Sequence, residues 1–219
     1  AVCAAIAAML GAFWLRGGVG LADVHPGYML PTVAVGLVAS VVFARLGLDG
    51  LSVGLLGIGL FTWAIVNSLI LARSLSGQPV TGALTPTLAI LAAPPAVAGT
   101  AWLALGAAGG TMIGSLLMGL TAFGVVVQLF LVRDYAKLPF APSFWSFTFS
   151  GSAVVTFTIQ WLAFARVPVT VGFAWVAVTA VTVLIGGIGI RMLVSLFPRS
   201  ADPASLLLPP VRVEQADHP

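Results

Sequence analysis

The chain has 219 residues, of which 60% are apolar and only 7% charged, with a formal net charge of +3. Ordinary soluble domains carry roughly 25% charged residues, so this composition excludes a soluble globular domain and points to an integral membrane protein. The single Cys3 excludes an internal disulfide framework, and the small basic excess is too scattered to bind nucleic acid.

The apolar segments run about 20 residues without period-two alternation, which favours helices over an outer-membrane barrel. Seven spans are expected, at 1–14, 28–44, 51–72, 86–105, 111–132, 143–164 and 172–197, giving an all-α polytopic membrane domain over 1–197. Gly, Pro and most of the charge fall between them, as in Arg16-Gly17-Gly18 and Ser76-Gly77-Gln78-Pro79. The first span, at about 14 residues, is below the roughly 17 needed to cross a bilayer. With no initiator Met ahead of it, N-terminal truncation is expected. Residues 198–219 turn abruptly to Pro, Ser and charge and read as a disordered tail.

Alternation of the spans sorts the nine basic residues. Arg16, Arg73, Arg133, Lys137, Arg191, Arg199 and Arg212 fall on one side, Arg45 and Arg166 on the other. The positive-inside rule puts the larger group, and the tail, in the cytoplasm.

The second, fourth and sixth spans carry proline at or near their starts: Pro31; Pro86 with Pro94 and Pro95; and Pro142. The alternate spans are plainer runs of Leu, Gly, Val and Ile. Proline inside a membrane helix is tolerated where neighbours or a water-filled cavity satisfy the freed carbonyl. The alternation suits an inner ring of broken helices within a plainer outer ring; the prolines acting in packing alone is the other reading.

The sixth span opens with Phe144-Trp145-Ser146-Phe147-Thr148-Phe149-Ser150-Gly151. Helical spacing puts Ser146, Phe149 and Ala153 on one face, with Ser150 one turn beyond Ser146. Small residues and hydroxyls there suit close helix packing. They equally suit a pore wall on which hydroxyls give passing hydrogen bonds and a phenyl ring closes the path.

All six carboxylates (Asp23, Asp49, Asp134, Asp202, Glu214, Asp217) lie in loops or the tail, so a cation site or proton relay has no mid-span acid to use. A path lined by hydroxyls and backbone suits an anion or a neutral solute better. Arg45 and Arg191 stand near span ends, within snorkelling reach of the interface. His25, in a loop, and His218, in the tail, read as solvated; Asn67 and Gln128 read as interhelical hydrogen-bond formers. Nucleophile–base pairs, metal-ligand spacings and phosphate-binding glycine loops are absent from the sequence, so neither an enzyme nor a cofactor is expected.

Three segments carry a resemblance: His25-Pro26-Gly27-Tyr28-Met29-Leu30-Pro31-Thr32-Val33-Ala34, Pro86-Thr87 with Ala93-Pro94-Pro95-Ala96-Val97, and Phe144 to Phe149. Together they resemble the tellurite-resistance/dicarboxylate transporter family, which takes in bacterial tellurite-resistance permeases, fungal malate permeases and sulfite pumps, and plant slow anion channels. The resemblance implies ten membrane helices in five hairpins around a pore lined by the odd-numbered helices, in a homotrimer with one pore per protomer. The seven spans then look like helices four to ten, with the proline-bearing ones as inner helices five, seven and nine. Helices one to three, two of them pore-lining, are not in this chain, which by itself is not expected to close a pore. The resemblance further implies Phe149 as the residue that blocks the pore, with Phe147 the neighbour most easily confused with it. Thr32, Gly36, Pro94, Pro95, Ser146 and Ser150 are the expected lining.

The function so implied is passage of small anions (C4-dicarboxylate, sulfite, chloride or nitrate, tellurite-type) through a phenylalanine-gated pore in the plasma membrane. A proton-coupled dicarboxylate or sulfite exporter, whose proton-binding residue would lie in the missing helices or be His25, stays open. So does a non-transporting membrane fragment or subunit.

Overall fold

The computed structural model describes residues 2–17, 19–106 and 110–197. The expected tail at 198–219 lies outside the described residues. Every regular element is helical: α1 Val2–Leu15, α2 Val35–Arg45, α3 Asp49–Leu75, α4 Ala93–Ala104, α5 Gly110–Ala136, α6 Ser146–Phe164 and α7 Thr170–Leu196. Counting their lead-in turns, six stretches among the described residues, where seven were expected, are long and apolar enough to cross a membrane, beginning with Pro26–Arg45. At 14 residues α1 is the short one.

Two kinds of span are plain in the backbone. α3, α5 and α7 are unbroken α-helices of 27 residues each, about 40 Å long at 1.5 Å per residue. The other three begin irregularly, and each irregularity carries a proline. A 3-10 turn at Pro26–Tyr28 and a π-helical turn at Leu30–Ala34, with Pro31 in it, lead into α2. An 11-residue 3-10 run, Gly82–Ala92, contains Pro86 and leads into α4, whose first turn holds Pro94 and Pro95. A 3-10 turn at Pro142–Trp145 leads into α6. Proline lacks an N–H and its ring crowds the preceding turn, so a continuous α-helix cannot run through these positions without loss.

The irregular backbone frees carbonyls, and neighbouring side chains take them up. Ser146 Oγ donates to Pro86 O at 2.7 Å, and Gln128 Nε2 donates to Leu88 O at 3.0 Å. Tyr135 completes the second link, its hydroxyl donating to Gln128 Oε1 at 2.6 Å. Ser143 Oγ donates to Ala83 O in the same fashion. Gln128 is therefore the interhelical hydrogen-bond former its sequence position suggested.

The spans pair as hairpins, α2 with α3, α4 with α5 and α6 with α7, and α4 lies between α2 and α6. α1 lies against the Leu30–Ala34 turn. The central helix is the most enclosed: every residue from Ala93 to Ala101 is buried, whereas α7 buries only Ile188. The proline-led helices thus form an inner row and the unbroken ones an outer row.

Close approach is bought with glycine at the crossings. A Cβ on Gly36 would stand 2.9 Å from the Gly59 backbone nitrogen, so α2 and α3 touch backbone to backbone. Next to that crossing Ser40 and Ser52, both fully buried, join oxygen to oxygen at 3.0 Å, and Ser52 Oγ donates to Ser40 O at 2.8 Å. Phe157 of α6 is wholly enclosed and lies where a Cβ on Gly99 of α4 would be; Trp161 does the same at Gly114 of α5.

Candidate functional site

The three inner helices and their lead-in turns meet around one aromatic ring. Phe149, half-buried on the first turn of α6, borders a cavity of about 10 Å³ with Met29, Val33, Ala34 and Leu37 from the second span and Ile90, Pro94 and Val97 from the fourth. Every side chain in this ring is apolar. A space of that size stands at the lower limit for one water and offers it no polar partner.

The expected lining residues divide. Phe149 and Pro94 border this junction together. Pro95 is buried inside α4's first turn. Thr32 and Gly36 border a different feature, an apolar groove of about 700 Å³ between α1 and α3. The Thr32 hydroxyl donates to Tyr28 O at 2.6 Å within its own turn. Ser146 is committed to Pro86 O and to Ser143 O. Ser150 is 5% exposed, and its Oγ finds no hydrogen-bond partner among the described residues. A buried hydroxyl left unpaired is unusual enough to require an account, and this one adjoins Phe149 in sequence.

The Ser146–Phe149–Ala153 face is turned toward α4 and its lead-in: Ser146 through the Pro86 carbonyl, Phe149 and Ala153 through apolar packing against the buried core. Met29, Val33 and Val97 stand in the segments that carry the resemblance but were not named as lining, and Leu37 and Ile90 read as ordinary apolar positions. Their proximity depends on how three spans cross, which no local pattern encodes. Phe147, the neighbour of similar kind, points elsewhere: its ring lies edge-on to Tyr135, 4.9 Å between centroids, and stacks with Phe144 at 5.9 Å.

Charged groups gather at the ends of the helices. Asp49 opens α3, while Arg45, Arg73 and Arg133 close α2, α3 and α5, each sign placed where the helix dipole favours it. Arg73 reaches across to the second span's lead-in, with Nη1 donating to Val24 O at 2.7 Å and Nε to Gln78 O at 2.8 Å. Beside it the His25 ring lies 4.8 Å from Tyr28, and its Nδ1 accepts from Gly27 N at 3.2 Å. Burial, and then the Arg73 charge, lower the His25 pKa from its ordinary value. No group of three or more His, Cys, Asp and Glu side chains stands together among the described residues.

Comparison with curated proteins finds no match. The sequence profile of voltage-dependent anion channels (SLAC1) matches residues 1–193, nearly all of the helical chain described above. An all-helical chain of paired spans, with proline-led helices inside and that profile across it, belongs to the voltage-dependent anion channel family, whose members are membrane channels and permeases for anions.

Proposed function

We propose that this protein is a passive pore for small inorganic or carboxylate anions and that the Phe149 ring is its gate. The observation that carries the reading is the wholly apolar junction where Phe149 meets side chains from both other inner spans. An apolar constriction excludes a hydrated ion by dewetting, and rotation of one ring removes it. Two further observations support it. The carboxylates of the spans stand at helix ends, so fixed negative charge does not oppose an anion in mid-membrane. The Ser150 hydroxyl, next to Phe149 in sequence and without a partner among the described residues, is available to donate to an anion. The face bearing Arg16, Arg73, Arg133, Lys137 and Arg191 is cytoplasmic, on the positive-inside count, the membrane is the cell's plasma membrane, and the assembly is a homotrimer.

The test is anion flux into liposomes. Phe149→Ala is expected to raise chloride or nitrate conductance about tenfold or more, as removal of a constriction of over 1.4 kcal/mol would. A current unchanged from the parent protein would sink the gate assignment, and Phe147→Ala serves as the neighbouring control.

A proton-coupled exporter of dicarboxylate or sulfite is the second reading, favoured by one observation: His25 is half-buried, its Nδ1 accepts from Gly27 N, and burial and the Arg73 charge hold its pKa below the ordinary value. Flux that follows an imposed pH gradient, and loses that dependence in His25→Asn, would select it over the passive pore.

A further inference from the structure

At the Arg133 and Arg191 end of the molecule a groove of about 520 Å³ lies between the outer helices α5 and α7, floored by the start of α6. Its walls include Val132, Tyr135, Phe140, Phe147 and Leu184, and its polar mouth is Arg191. The Arg191 guanidinium carbon is held 5.4 Å above the centre of the Phe140 ring. Arg191 stands five residues before the end of α7 at Leu196, roughly 7 Å inside the helix end.

Arg191 is exposed at the groove mouth, within snorkelling reach of the headgroup layer, where a basic side chain favours an anionic partner. Among the described residues the only ion pair is Lys137 with Asp134, which leaves Arg191 and Arg133 without an acidic partner. The groove therefore calls for an anion at its mouth. Beyond the mouth it calls for hydrocarbon, because the walls are apolar and aromatic and run on into exposed Val132, Val183 and Ile190 of the membrane-facing surface. Basic pockets between membrane helices at an anionic leaflet hold lipid headgroups in this way.

We infer that this groove binds one acidic phospholipid of the surrounding bilayer, its phosphate on Arg191 and an acyl chain between α5 and α7. The site is independent of the pore and of the gate assignment. Three other occupants compete for it: a free anion, residues 198–219 of this chain, which carry Asp202, Glu214 and Asp217, and a second copy of the protein.

The experiment is native mass spectrometry of the 219-residue chain in detergent, titrated with phosphatidylglycerol and phosphatidylcholine of identical chains. Phosphatidylglycerol adducts are expected to exceed phosphatidylcholine adducts roughly fivefold, the effect of about one basic residue at an anionic surface. Arg191→Gln should bring the ratio close to one, Arg191→Lys should keep most of it, and Leu184→Trp, which fills the groove, should lower binding of both lipids. Circular dichroism checks that each variant keeps its helices.

Equal binding of the two lipids, or an undiminished preference in Arg191→Gln, overturns the proposal. So does displacement of phosphatidylglycerol by inorganic phosphate as readily as by more lipid, which would make the site one for a free anion. More lipid bound by a chain ending at Phe197 would identify the tail as the occupant. A changed number of copies per particle in Leu184→Trp would identify a second protomer.

Discussion

Phe149 and Phe157 stand about two turns apart on α6, and their surroundings separate their roles. Phe157 is 0% exposed and fills the hollow that Gly99 leaves on α4. The enclosed ring has no room to withdraw, so Gly99→Ala is expected to cost about 1–3 kcal/mol of stability through overpacking. Thermal unfolding in detergent measures this, and a melting temperature equal to the parent's would show that the α4–α6 contact yields more readily than its geometry allows. Phe149, by contrast, is only half-buried and borders empty space, so its replacement is expected to change conduction far more than stability. His25 makes a prediction in pH. Its folded pKa lies below the ordinary 6.5 of the unfolded chain, so as pH falls the unfolded chain takes the proton first. Its contribution to stability is whole above about pH 6.5 and is lost as pH falls from there toward the folded value. A melting series across that window should show a decline that His25→Asn reduces; an identical slope in the variant would remove His25 from the account.

Among the elements, the proline-led starts of the inner helices matter most, because each frees backbone groups inside the membrane, where water is not at hand to pair them. Gln128 answers this for the Gly82–Ala92 run by linking Leu88 O to the Tyr135 hydroxyl. Gln128→Leu leaves both groups without that partner. An unpaired buried group costs about 1–3 kcal/mol, while interhelical hydrogen bonds in membranes average only about 0.6 kcal/mol. With two bonds lost, about 1 kcal/mol is expected, read as a lower melting temperature and faster hydrogen exchange over 82–92. Unchanged exchange there would mean that the run is held by packing alone. The sequence carried much of this element-scale order: proline at every second span, and a polar Gln in an otherwise plain one. It did not carry the form the irregularity takes. Proline forbids a continuous α-helix, but whether the chain then adopts a π turn, as at Leu30–Ala34, or eleven residues of 3-10, as at Gly82–Ala92, depends on which carbonyls the neighbours can pair.

For the whole molecule, the hairpins align three inner spans side by side and leave α7 almost wholly exposed. Exposed apolar surface of this extent suits lipid and neighbouring protomers alike. The proposed trimer predicts three chains per particle by mass photometry in detergent and in nanodiscs, and a single chain in both would remove it. Membrane-spanning helices, the division into broken and unbroken ones, and the family were present in the sequence itself. Hydropathy, proline and short motifs are local properties, and burial in lipid makes them decisive. Which residues share a site was not present there. Thr32 and Gly36, expected as pore lining, border the α1–α3 groove, while Val33, Leu37 and Val97, not named as lining, surround Phe149. A helix presents every side of itself to something, and only its crossing with two other helices decides which side meets the ring, which meets the next helix and which meets lipid.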